Sequence, residues 1–126
     1  MSNPVVLRED DPDLRQLVHE LLEEHGYVVY DVVEIEDLLS ECQKRSPCVA
    51  LIDSTSPTEF DLWHVGPVLS QRGVPAIAFT AHASAIKQFE RDPSGFIGVV
   101  SKPFDADEFL RVVNSVCWKE HHSVAS

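Results

Sequence analysis

The chain has 126 residues, near the modal size of a single domain with one core. Ten basic residues against 21 acidic ones give a formal charge of −11, which excludes the clustered positive surface that a nucleic-acid binder needs. No apolar run is long enough to cross a bilayer, and Met1-Ser2-Asn3-Pro4 lacks the basic start and apolar stretch of a signal peptide, so the cytosol is the expected compartment.

Pro4-Val5-Val6-Leu7 reads as a first strand, followed at once by Arg8-Glu9-Asp10. Asp11-Pro12 reads as a helix N-cap with proline at the first helical position. Leu14, Leu17, Val18, Leu21 and Leu22 recur at helical spacing until Gly26 ends the pattern. Tyr27 to Val32, rich in β-branched and aromatic residues, is a second strand, and Ile35, Leu38, Leu39 and Cys42 mark one face of a second helix. Cys48 to Ile52 is an almost continuous apolar run ending in Asp53, as expected of a strand covered on both faces. The polar loop Ser54-Thr55-Ser56-Pro57-Thr58 follows, then a third helix that Gly66-Pro67 is expected to kink or delay. Ala76 to Phe79 is a fourth strand ending in Thr80, and a short helix is expected between Ala83 and Glu90. After the turn Asp92-Pro93-Ser94-Gly95, Phe96 to Val100 forms a fifth strand leading to Ser101-Lys102-Pro103. Asp105 with Glu108 resembles a capping box ahead of a last helix with Phe109, Val112, Val113 and Val116 on its apolar face.

Strands alternating with helices across short loops imply an α/β fold with a parallel sheet and helices on both faces. One domain is expected over residues 1–120, with 121–126, including His121-His122, as a flexible tail. Cys42, Cys48 and Cys117 are odd in number, far apart and without a CxxC pair, so they read as buried hydrophobes or free thiols of a reducing compartment.

The positions of the polar residues carry the functional information. Glu9-Asp10, Asp53, Thr80 and Lys102 each follow a different strand, and in a parallel sheet those ends share the edge where open α/β folds place their sites. Three carboxylates brought together carry about −3 charge, which a hard dication and the Lys102 ammonium would balance. Magnesium suits such an oxygen-rich set because it keeps water and phosphate oxygens among its ligands. Asp53 would then be an ionised nucleophile, and Thr80, Lys102 and backbone amides could bind the oxygens of a transferring phosphoryl group.

These residues resemble the receiver domain of two-component response regulators over nearly the whole chain. The resemblance rests on Val5-Val6-Leu7-Arg8-Glu9-Asp10-Asp11-Pro12, on Ala50-Leu51-Ile52-Asp53 with Pro57, on Phe79-Thr80-Ala81 and on Lys102-Pro103-Phe104. It implies a doubly wound, flavodoxin-like (βα)5 fold with strand order 2-1-3-4-5. It also implies phosphoryl transfer to Asp53 from a sensor histidine kinase or a histidine phosphotransfer protein, and a surface that then engages a downstream protein. Glu9, Asp10, Asp53 and the main-chain carbonyl of Thr55 would hold Mg2+, for which Mn2+ substitutes. The Lys102-Pro103 peptide would be cis, Thr80 and position 99 would form the switch, and Ala81 and His82 would modulate phosphoryl lifetime. His82 also reads as an exposed loop histidine, and Asp11 as the N-cap rather than a ligand. The chain departs from the pattern at Arg8, where an apolar residue is usual, at Val99, where many members carry an aromatic residue, at Thr58 and Asp61, where glycines are common, and at Ile97-Gly98, which replaces an acidic pair. Three rival readings are a receiver-like interaction module that signals without phosphorylation, an FMN carrier and an aspartyl-phosphate phosphatase. The carrier reading suffers from Pro57 in the hydroxyl-rich loop, and the phosphatase reading from Thr55 where a second acid is wanted.

Overall fold

The computed structural model describes residues 3–54 and 60–125, apart from the side chains of residues 54, 60–63 and 118–125. Five strands, β1 (Asn3–Arg8), β2 (Tyr27–Val32), β3 (Val49–Ser54), β4 (Ala76–Thr80) and β5 (Gly98–Ser101), form one parallel sheet in the order β2-β1-β3-β4-β5. The helices are α1 (Pro12–Glu24), α2 (Ile35–Arg45), α3 (Phe60–Gln71), α4 (Ala83–Arg91) and α5 (Ala106–Ala125). Fold class and strand order are as expected.

Alternation along each strand sorts the core into two layers. Val5, Leu7, Val49, Leu51, Ile77 and Phe79 pack with Val18 and Leu22 of α1 and Phe109 and Val113 of α5. Val6, Ala50, Ile52, Ala76 and Ala78 face Leu38 and Cys42 of α2, Val65 and Leu69 of α3 and Phe89 of α4. Helices on both faces explain why these strands read as continuous apolar runs.

The Asp11 N-cap operates as read, whereas Asp105 caps through the Asp107 amide and not through the expected box with Glu108. The Asp11 carboxylate accepts from the amides of Asp13 and Leu14 at 3.0 and 3.4 Å, and Asp105 accepts from the Asp107 amide at 2.9 Å. Past the end of α1, Gly26 takes φ +92°, which favours glycine. β5 starts two residues later than expected, because the Phe96 amide closes a turn onto the Pro93 carbonyl at 2.9 Å. The backbone of α5 continues to Ala125, through the stretch expected to be a tail.

Gly66-Pro67 does not delay α3, which runs from Phe60 to Gln71 with Pro67 inside it. The pair serves a close approach instead. A Cβ at Gly66 would fall 2.0 Å from the Ser94 carbonyl oxygen and 2.7 Å from the Phe96 ring. Gly66→Ala is therefore expected to destabilise the fold by about 3 kcal/mol, since the nearest obstacle is backbone. Gly98→Ala, with nothing within 4 Å of its Cβ, should be close to neutral in the same urea titration.

The cysteines require a correction. Cys48 and Cys117 form a disulfide with a Cα–Cα distance of 5.1 Å, although 69 positions separate them. Spacing along the chain concealed this because α5 returns across the face that holds Val49 and Leu51 and meets the start of β3. Cys42 is free and buried as expected, and burial pushes its thiol up to about 11, which keeps it unreactive.

Candidate functional site

The four polar positions expected at strand ends meet at one edge of the sheet. Glu9 follows β1, Asp53 and Thr80 lie at the ends of β3 and β4, and Lys102 follows β5. Glu9, Asp53 and Thr80 are 0%, 1% and 0% exposed, and among the described residues they are the buried polar or charged ones in a core that is otherwise apolar. Burying two carboxylates is costly unless cations or hydrogen-bond donors offset the lost hydration.

Lys102 spans the sheet edge to reach both acids. Its Nζ donates to Glu9 Oε1 at 2.9 Å and to Asp53 Oδ1, and it lies 4.9 Å from the centroid of the Phe79 ring. The Lys102 amide donates to the Thr80 carbonyl at 2.9 Å, and the Lys102-Pro103 peptide is cis, as the resemblance implied. Glu9 is held further by the Asp11 amide, which donates to Oε2 at 3.1 Å, while Arg15 Nη1 donates to its main-chain carbonyl at 3.2 Å. Asp53 Oδ2 is buried and has no hydrogen-bond partner among the described residues.

One ammonium does not satisfy two buried carboxylates. Burial, followed by the hydrogen bond to Asp53, pushes Glu9 up to about 7, against the opposing pull of Lys102 and the Asp11 amide. The sign of the pH effect follows directly. A carboxyl that binds its proton more tightly folded than unfolded contributes most at low pH, and that contribution is lost as pH rises from about 4.5 to about 7. Metal-free protein should accordingly lose up to about 3 kcal/mol across that window from this group, and Glu9→Gln should flatten the slope in urea titrations at pH 5 and pH 8.

The donor set is made of hard oxygens with negative charge in excess of the ammonium, and one buried carboxylate oxygen has no partner among the described residues. Those features fit a magnesium ion. Among the described residues no three His, Cys, Asp or Glu side chains are gathered as a ready-made metal cluster. Lys102 stands between Glu9 and Asp53, and Asp10 is exposed at the rim. Thr55, with Pro57 and Thr58, lies outside the described residues, as does the side chain of Asp61.

The remaining expected positions surround this centre. Thr80 Oγ1 accepts from the His82 amide at 3.1 Å, and His82 is half-buried at the N-cap of α4, where its side chain makes no capping bond. Ala81 between them is exposed. Val99 is half-buried on the sheet face that also holds Ala78, and lines, with Phe89, Pro93 and Phe96, a cleft of about 140 Å3. Arg8 Nη1 donates to the Asp53 main-chain carbonyl at 3.2 Å and its Nε to the Val33 carbonyl at 2.8 Å, main-chain partners that sequence reasoning did not identify. The signal was available as a charged residue ending an apolar strand.

The response regulator receiver domain model matches residues 5–114. The chain belongs to the response regulator receiver domain family. As a receiver domain it is a signalling module rather than a metabolic enzyme, of a kind that generally binds Mg2+ and interacts with histidine kinases or phosphotransfer proteins. A protein from Leptolyngbya boryana, described as an uncharacterized 14.6 kDa protein in the sodA1 3′ region, is 30% identical over 117 residues, covering 90% of this chain and 88% of its own. The transcriptional regulatory protein YxdJ of Bacillus subtilis is 24% identical over 113 residues, covering 90% of this chain, which spans about half of that protein (49%). Among solved structures, the receiver domain of a LuxO repressor from Vibrio parahaemolyticus superposes with a TM-score of 0.83 at 19% identity, covering 100% of this chain and 98% of that one. The chemotaxis protein CheY4 of Vibrio cholerae does so at 0.77 and 22% identity, covering 92% and 99%. Among the described residues no helix of this receiver domain is long and apolar enough to cross a membrane.

Proposed function

We infer that this receiver domain accepts a phosphoryl group on Asp53 from a phosphohistidine of a sensor kinase or phosphotransfer protein. The observation that carries the reading is a buried Asp53 with one oxygen on Lys102 and the other without a partner among the described residues, beside a Glu9 whose charge is only partly balanced. In the transfer, a carboxylate oxygen of Asp53 attacks phosphorus as the P–N bond to the donor imidazole breaks, and the imidazole keeps the electron pair and takes up a proton. Lys102 and the hydroxyl of Thr80 bind phosphoryl oxygens as charge spreads over them. Glu9, Asp10 and Asp53, with the Thr55 carbonyl, would hold Mg2+, which supplies neutralising charge at the reacting oxygens. Ala81 and His82, next to Thr80, are the positions from which phosphoryl lifetime would be tuned.

Phosphorylation would shift an equilibrium between two surface states through Thr80 and position 99, and so select a downstream protein in the cytoplasm. Val99 in place of an aromatic residue favours a second reading, in which the domain is an interaction module that works without phosphorylation. Intact mass after incubation with Mg2+ and acetyl phosphate separates the two. One phosphoryl adduct, absent with EDTA and absent from Asp53→Asn, is the expected result. Folded wild-type protein that never gains the adduct would support the interaction module.

A further inference from the structure

β1 parts from both neighbours at Arg8. Its register with β2 ends at the pair Arg8 and Val32, and its register with β3 at Arg8 and Ile52. The carbonyls of Val33 and Asp53 lie one residue beyond those ends, and a single guanidinium takes both, through Nε at 2.8 Å and Nη1 at 3.2 Å. By strand alternation Arg8 follows Val6 onto the face covered by α2, α3 and α4. Asp53 is thus gripped at two points: Lys102 takes its carboxylate, and Arg8 takes its main-chain carbonyl just where pairing with β1 stops.

We propose that Arg8 is a positioning residue for the phosphoacceptor, replacing with its side chain the pairing that β1 no longer supplies to Asp53. The role rests on the phosphoacceptor reading above. A fixed, planar fork of donors is what two diverging carbonyls require. An apolar residue at this place fills the strand but grips neither carbonyl, and a lysine has one ammonium with no fixed fork. Arg8 acts on the main chain and not on the donor, so its loss loosens the alignment of Asp53 without weakening donor capture.

The test is the kinetics of phosphorylation by acetyl phosphate in saturating Mg2+ for wild type, Arg8→Met and Arg8→Lys. Arg8→Met should lower the maximal rate about tenfold and leave the half-saturating donor concentration unchanged, with Arg8→Lys between the two. Cooperative urea unfolding with an unchanged m-value shows that each variant is folded, and Arg8→Lys carries the comparison where Arg8→Met does not fold. An unchanged maximal rate would overturn the proposal. So would a raised half-saturation at constant maximal rate, because Arg8 would then be binding the donor phosphate. A wild-type protein that takes no label removes the phosphoacceptor reading and this role together, whereas equal labelling of wild type and variants removes the role of Arg8 alone.

Discussion

Lys102→Met should destabilise the metal-free protein at pH 8 by about 3 kcal/mol, the range found when one partner of a buried ion pair is removed. The ammonium lies against two carboxylates that are 0% and 1% exposed, and methionine fills the volume but leaves their charge uncompensated. At pH 5 the loss should be smaller. Glu9 already holds its proton up to about 7 with the lysine present, and without the lysine it keeps the proton more readily still. Added Mg2+ should restore part of the stability at pH 8, because a dication bound only by the folded state stabilises it by mass action. Urea titrations of wild type and variant at both pH values, with and without Mg2+, measure all three effects. A variant as stable as wild type at pH 8 in EDTA would mean that Lys102 is not what makes the buried acids tolerable.

Reduction of the Cys48–Cys117 disulfide should cost about 4 kcal/mol. A cross-link spanning 69 positions removes a large share of the unfolded chain's freedom, and the chain-entropy relation gives that size. Dithiothreitol and Cys117→Ala should lower the urea midpoint by similar amounts, and dithiothreitol should have no further effect on the variant. Phe109, Leu110 and Val113 anchor α5 independently of the bond, so the reduced protein should stay folded. The cystine replaces the free thiols that cysteine spacing led us to expect at these two positions. Two thiols that alkylate rapidly in native, unreduced protein, with no response of stability to dithiothreitol, would show that the bond is not formed in solution.

What was legible in the sequence and what was not divide along physical lines. The gathering of these residues was legible because a parallel sheet places every strand's C-terminal end on one edge, where Asp53, Thr80 and Lys102 lie. Asp11 was legible as an N-cap because capping is local. The Cys48–Cys117 bond depends on where α5 crosses the sheet, which no local spacing encodes. Gly66-Pro67 looked like a helix breaker when read alone. Its meaning lies in the Ser94 carbonyl and the Phe96 ring, some thirty positions away, that leave no room for a Cβ. Arg8 looked like a flaw in an apolar strand, and its use appears only once the ladders on both sides of β1 are seen to end there. Glu9 and Asp10 were both read as metal ligands, yet the first is buried and the second exposed, a difference their adjacency does not reveal.

The measurement that bears most directly on the central claim is localisation of the phosphoryl group. Protein incubated with Mg2+ and acetyl phosphate would be reduced with borohydride, which converts an aspartyl phosphate to homoserine, and then digested and mapped by mass spectrometry. Homoserine is expected at position 53 alone, and none when EDTA replaces Mg2+. Label at a histidine or another carboxylate, or none in protein shown to be folded, would contradict it.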